Sequence, residues 1–178
     1  MIDDLRRLSV REWSLAGLAF CVLMMAVALG LEHVVGLAPC PLCIFQRVAV
    51  LAAAGVFLVA ALHDPAGRAG AVIYALLSLA AVGSGIVVAG RHLWLQSLPA
   101  DQVPSCGPGL GYMLEILPLQ QVLAQVLSGS GECAEISFRL LGISLPGWTL
   151  AGFLILALAP VGLLLAANRP RRGYRWQG

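Results

Sequence analysis

The segment Pro39-Cys40-Pro41-Leu42-Cys43-Ile44-Phe45-Gln46-Arg47 holds two thiols separated by two residues, with a guanidinium four residues after the second. Thiols at this spacing can cycle between dithiol and disulfide, and their reactivity follows how far the thiolate is stabilised. A helix starting near Cys43 puts that sulfur at an N-terminus, where unpaired N–H groups and the macrodipole favour negative charge. Arg47 then lies on the same helix face. Both effects favour the reactive thiolate, while burial at a membrane boundary opposes it. Because the motif opens a long apolar run, the chemistry it suggests is electron exchange between a water-facing partner and a molecule dissolved in lipid.

Three other cysteines complete the inventory: Cys21, Cys106 and Cys133. Cys21 sits within an apolar run beside Phe20 and Val22 and reads as a small buried hydrophobe. The remaining four make two disulfides possible, in any of three pairings. The adjacent pairing, Cys40–Cys43 with Cys106–Cys133, serves as the working choice. Two inert bridges are the plainer alternative, but a Cys-x-x-Cys bridge closes so small a loop that it constrains little chain entropy. Such a pair is also a zinc half-site. The second pair, with 26 intervening residues, does not match that pattern, so no metal is assigned. Haem attachment needs a histidine after the second cysteine, where Ile44 stands.

The elements that position these groups are membrane spans. The chain of 178 residues is 60% hydrophobic and only 11% charged, with a mean hydropathy of +0.89. A soluble domain is about a quarter charged. Four segments, 14–35, 44–62, 69–88 and 148–167, have the length and apolarity of helices that cross a bilayer. None alternates with the period of a membrane strand. All eleven basic residues are arginine, and eight of them flank one side of these spans: Arg6, Arg7, Arg11, Arg68, Arg169, Arg171, Arg172 and Arg175. The positive-inside rule places both termini (1–13 and 168–178) in the cytoplasm and the loops 36–43 and 89–147 outside. The first run lacks a small-residue cleavage site and reads as a retained signal anchor. The expected fold is an all-α membrane protein, one four-transmembrane-helix bundle over residues 1–178 whose long outer loop carries a short amphipathic helix. The four outer cysteines then face a compartment in which disulfides persist. The net charge of +2 carries no implication of nucleic-acid binding.

Three further features bear on the site. His92, just after the third span, can be brought beside Cys43 and Arg47 by helix packing, although a boundary histidine is more often simply interfacial. His63 falls on the cytoplasmic side and His33 ends the first span. Arg47 has its own plain reading, snorkelling to the headgroups. In the long loop, Leu119, Val122, Leu123, Val126 and Leu127 recur at helical spacing among Gln120, Gln121 and Gln125. That segment either lies on the membrane surface or packs on the bundle. Pro99, Pro104, Gly107, Pro108 and Gly109 keep the surroundings of Cys106 irregular, which suits a segment that receives another protein's thiol.

Taken together, these residues resemble the DsbB family of bacterial inner-membrane disulfide-forming oxidoreductases. The resemblance rests on the 39–47 motif, the order of spans, the placement of the cysteines, the stretches Cys106-Gly107-Pro108-Gly109-Leu110 and Gly131-Glu132-Cys133-Ala134, and the segment Gly142-Ile143-Ser144-Leu145-Pro146-Gly147-Trp148-Thr149-Leu150. Phe138 stands where many relatives carry tryptophan. The resemblance implies a relay. Cys106–Cys133 would oxidise a soluble, thioredoxin-fold partner of the DsbA type, whose thiolate attacks Cys106. Electrons would pass on to Cys40 and Cys43, and Cys43 would deliver them to a membrane quinone, ubiquinone or menaquinone. Arg47 would stabilise the developing negative charge and His92 would assist on the quinone side. Other readings stay open here: a vitamin-K-epoxide-reductase-like enzyme, against which the position of the Cys-x-x-Cys argues, a disulfide-stapled scaffold, or a metal-handling membrane protein.

Overall fold

The computed structural model describes residues 8–99, 101–104, 110–129, 131–136 and 138–168. Four helices are long and apolar enough to cross a membrane. Helix α1 is Val10–His33, α2 is Pro41–His63 and α3 is Arg68–Gln96. The fourth span, Leu145–Ala167, is built of α7 (Leu145–Leu156) and α8 (Leu158–Ala167). Between α3 and α7 lie the short helices α4 (Leu110–Ile116), α5 (Leu119–Ser128) and α6 (Gly131–Ala134), then strands β1 (Arg139–Leu140) and β2 (Ile143–Ser144).

Local chemistry sets the ends. Ser9 and Glu12 form a reciprocal capping box at the start of α1, each side chain accepting from the other's backbone N–H. Helix α2 begins at Pro41, which fits the first helical position because its missing N–H would have had no partner there. Asp64, in the left-handed conformation at φ 39°, stops it. The fourth span breaks at Ala157, one turn before Pro160, whose ring crowds the carbonyl four residues back. Leu141 (φ 54°) and Gly142 (φ 82°) form the two-residue turn joining β1 to β2, a turn that needs positive φ at both positions. Trp148 Nε1 donates to Leu140 O at 3.1 Å and ties this hairpin to α7.

The bundle packs through small residues. Ala53, Ala75, Val82 and Ala89 are buried against Phe57, Phe153, Leu156 and Leu163. Such residues let apolar helices approach closely where lipid offers no hydrophobic drive between them. Gly17 faces the Phe57 ring, Gly85 the Phe153 ring and Gly162 the Trp13 indole, each with too little room for a methyl group. Leucines and valines such as Val22, Leu62 and Val87 point outward, as lipid-facing positions require.

The third helix departs from expectation. It runs on to Gln96 rather than ending at 88, so the long connection to the fourth span begins as helix and His92 is part of it, 3% exposed. The amphipathic segment does form a helix, α5. It buries Val122 and Val126 in a cluster with Leu42, Leu95, Met113 and Cys133, while Leu119 and Leu127 stay exposed. Arg91 holds its end, donating to Leu127 O (3.0 Å) and Ser128 O (2.9 Å) while stacking on Trp94. Helix α5 thus packs on the bundle, with one leucine row left outside.

A valine at Gly85 must displace the Phe153 ring. Overpacking of this kind costs about 1–3 kcal/mol, so Gly85→Val should lower the midpoint of thermal unfolding in detergent. An unchanged midpoint would show that α3 and α7 do not pack at this distance.

Candidate redox site at the head of the second helix

The site is assembled at the start of α2. Cys40 is its N-cap residue and Cys43 lies in its first turn, so both sulfurs emerge from one helix end. They stand as thiols with Sγ atoms 3.0 Å apart, Cys40 donating to Cys43. The extension of α3 carries His92 to them, with Nε2 3.8 Å from Cys40 Sγ. The side-chain amide of Gln46, one turn along α2 and 4% exposed, lies 3.3 Å from the other imidazole nitrogen, Nδ1. The amide can donate to this nitrogen or, flipped, accept from it, according to the imidazole tautomer.

Arg47 shares the α2 face with Cys43 but reaches across to α1. It pairs with the Glu32 carboxylate, and its Nη2 donates to Ala28 O at 3.3 Å. With side-chain exposures of 22% and 28%, this pair is only partly open to solvent. The arginine therefore does not simply snorkel. Its charge is balanced by a carboxylate in the last turns of a neighbouring span.

These groups open onto a cavity of about 380 Å³ between α1, α2, α3 and α7. Phe20, Met24, Leu31, Val50, Trp148 and Ile155 supply apolar wall, and Cys43, Gln46, Arg47 and His92 supply polar points. An apolar cleft with a few convergent polar groups is the usual form of a small-molecule site. Cys133, in α6, is buried in the cluster that includes Leu42, and Cys40 packs against that cluster. Glu132 and Glu135 flank Cys133 and line the cavity. Cys106 lies outside the described residues. Cys21 is buried in the bundle core, away from this group. His33 bonds its own helix at Leu29 O, and His63 meets Tyr74 at the far end of α2, so neither joins the site.

Two participants escaped the sequence reading. Glu32 had one available signal, a carboxylate in the closing turns of an otherwise apolar span, where charge is expensive unless paired. Gln46 was visible within the motif but had no role until α3 was seen to continue to His92.

A family model for disulfide bond formation protein DsbB matches residues 10–163. The chain is 60% identical over 172 residues to disulfide bond formation protein B of Chromohalobacter salexigens, covering 97% of this chain and 100% of the other. It is 55% identical over 152 residues to the protein of the same description from Nitrosococcus oceani, covering 85% and 89%. The one from Acinetobacter baumannii is likewise 55% identical over 152 residues, with the same coverage.

The Arg47–Glu32 pair makes a quantitative expectation. Glu32→Leu leaves the guanidinium without its partner and should cost about 1–3 kcal/mol, between the values for exposed and buried pairs. Adding Arg47→Met should recover part of that loss. A double-mutant cycle in detergent that is additive within about 0.5 kcal/mol would show no coupling.

Proposed function

The chain belongs to the DsbB family of disulfide bond formation proteins, and from that premise we propose how its residues divide the work. It is a multi-pass protein of the bacterial inner membrane and a disulfide-generating oxidoreductase that reoxidises a DsbA-type dithiol oxidase at the expense of membrane quinone. The observation that carries the residue assignment is the thiol pair at the head of α2, opening onto an apolar cavity level with the ends of the spans.

In this reading the Cys106–Cys133 disulfide meets the reduced partner first. The partner thiolate attacks Cys106, the Cys106–Cys133 bond breaks, and the partner's second thiol releases the mixed disulfide. Two electrons and two protons have then moved to Cys106 and Cys133. These thiols reduce a Cys40–Cys43 disulfide by the same exchange, leaving the dithiol form found here. The burial of Cys133 in the cluster against which Cys40 packs supports a short path between the pairs.

The cavity fits a quinone ring in volume and in its mostly apolar walls. Cys43, Arg47 and His92 are the groups that would hold the ring. A bound quinone, ubiquinone or menaquinone, supplies a two-electron, two-proton acceptor. The chain's own part is to position the thiols and manage charge. Cys43 lies at the helix N-terminus, where backbone N–H groups favour its thiolate. His92 Nε2 stands beside Cys40 Sγ and can take its proton in the tautomer whose Nδ1–H is held by the Gln46 amide oxygen. Arg47, held on α1 by Glu32 and Ala28, presents positive charge at the cavity wall. The apolar residues of α1 and α7 exclude water.

We place both termini in the cytoplasm and the cysteine loops in the periplasm, on the arginine distribution. A membrane-impermeant thiol reagent should modify Cys106 in intact spheroplasts after reduction. Modification only after lysis would invert the topology.

Purified protein given a reduced DsbA-type partner should reduce quinone catalytically. Cys40→Ser, Cys43→Ser and Cys106→Ala should each abolish turnover, with Cys106→Ala keeping quinone binding, and Cys21→Ser should leave turnover intact. Arg47→Ala should slow quinone reduction by about a hundredfold or more, the usual scale for loss of one charge-stabilising donor, without weakening partner binding. Normal turnover in Cys106→Ala would refute the order of exchange.

A further inference from the structure

We propose that the reduced Cys40–Cys43 pair and His92 form a three-ligand site for a zinc-type divalent cation, available only while the thiols are reduced. The two sulfurs and an imidazole nitrogen all lie within 4.8 Å of one another. Two sulfurs bound tetrahedrally to zinc stand about 3.8 Å apart, so the 3.0 Å thiol pair needs only small side-chain rotations to open around the ion. Two cysteines and one histidine, with a fourth position left for water, are a known zinc ligand set. Thiolates also select soft and borderline cations over magnesium or calcium.

The surroundings complete the site. A metal-bound histidine needs its other ring N–H held by an acceptor. Gln46 is buried at that nitrogen, 3.3 Å away, and a flip of its amide presents the carbonyl oxygen. Charge also favours a cation. Glu32, Glu132 and Glu135 line the cavity against the single guanidinium of Arg47, which Glu32 already pairs. On the adjoining wall, Gln96 Oε1 is buried with no partner among the described residues and offers an acceptor for a metal-bound water.

Binding is a balanced exchange. Two S–H bonds break, two metal–sulfur bonds form, Nε2 donates its lone pair, and two protons leave to water. The resulting unit of one dication and two thiolates is neutral, which suits a partly buried site better than two bare thiolates. Once the sulfurs join in a disulfide, both anionic ligands are gone. The cation therefore competes with oxidation and holds the pair reduced.

The test needs no turnover, so its result is independent of the oxidoreductase reading. Purified full-length protein in detergent is reduced with a phosphine, freed of reductant, and dialysed against Zn²⁺, with bound metal measured by elemental analysis. The expected result is one zinc per reduced chain, with affinity at least about tenfold weaker after the Cys40–Cys43 pair is oxidised and in His92→Ala, the scale of losing a supporting group at a metal site. Co²⁺ in place of Zn²⁺ should show a thiolate-to-metal absorption band. A Cys21→Ser chain and a Cys106→Ser, Cys133→Ser chain should both keep one-to-one binding. The absence of stoichiometric binding to the reduced wild-type chain would overturn the proposal. Binding that persists through oxidation, or that is lost with the loop cysteines alone, would overturn it too. The oxidation comparison uses wild-type protein and does not depend on any variant folding.

Discussion

Everything at the thiol end of this bundle depends on where α2 begins. Pro41 lacks the N–H that an interior helical position would use and has its φ already set, so it stands comfortably at the first helical position and leaves Cys40 as the cap. Cys43 then falls in the first turn, and the two sulfurs come off one helix end on neighbouring sides. A start one turn later would leave Cys40 in an extended loop and separate the pair. Gln46 and Arg47, a turn further on, take opposite tasks because adjacent positions on a helix point about 100° apart. One meets α3 at His92 and the other meets α1 at Glu32.

That division shows how a membrane protein can keep polar groups near the level of its spans. Gln46 and His92 satisfy each other, the guanidinium is balanced by a carboxylate and a carbonyl, and the thiols interact mutually. The leucines and valines of α1 and the fourth span surround this group without competing for its hydrogen bonds. The cavity is therefore lined mostly by carbon while holding a few oriented polar atoms.

Much of this was legible in the residues. The four spans announce themselves by length and composition, and the Cys-x-x-Cys with its following Gln-Arg marks the helix that carries the thiol pair. The amphipathic row from Leu119 to Leu127 foretold α5. What the residues alone did not disclose depends on contacts between distant parts of the chain. Hydropathy drops after Val88 because Arg91, His92 and Gln96 are polar, yet the helix continues because α5, α6 and α2 cover its inner face. Arg47 shares a face with Cys43 as its spacing indicated, and it is also held by a carboxylate on α1 that the motif did not reveal. Cys106 lies outside the described residues, so the loop pair is known only through its Cys133 half.

The length of α3 has a consequence for depth. Its 29 residues span about 43 Å, against a hydrocarbon core of about 30 Å. The surplus of about 13 Å is taken up by tilt or stands outside the hydrocarbon. His92 is four residues from one end of this helix, and the thiols packed beside it share that level. The cavity runs from them along α1 and α2, past Phe20, Met24 and Val50. The length of α3 thus holds the polar group at one end of the bundle and leaves the cavity to reach inward from it.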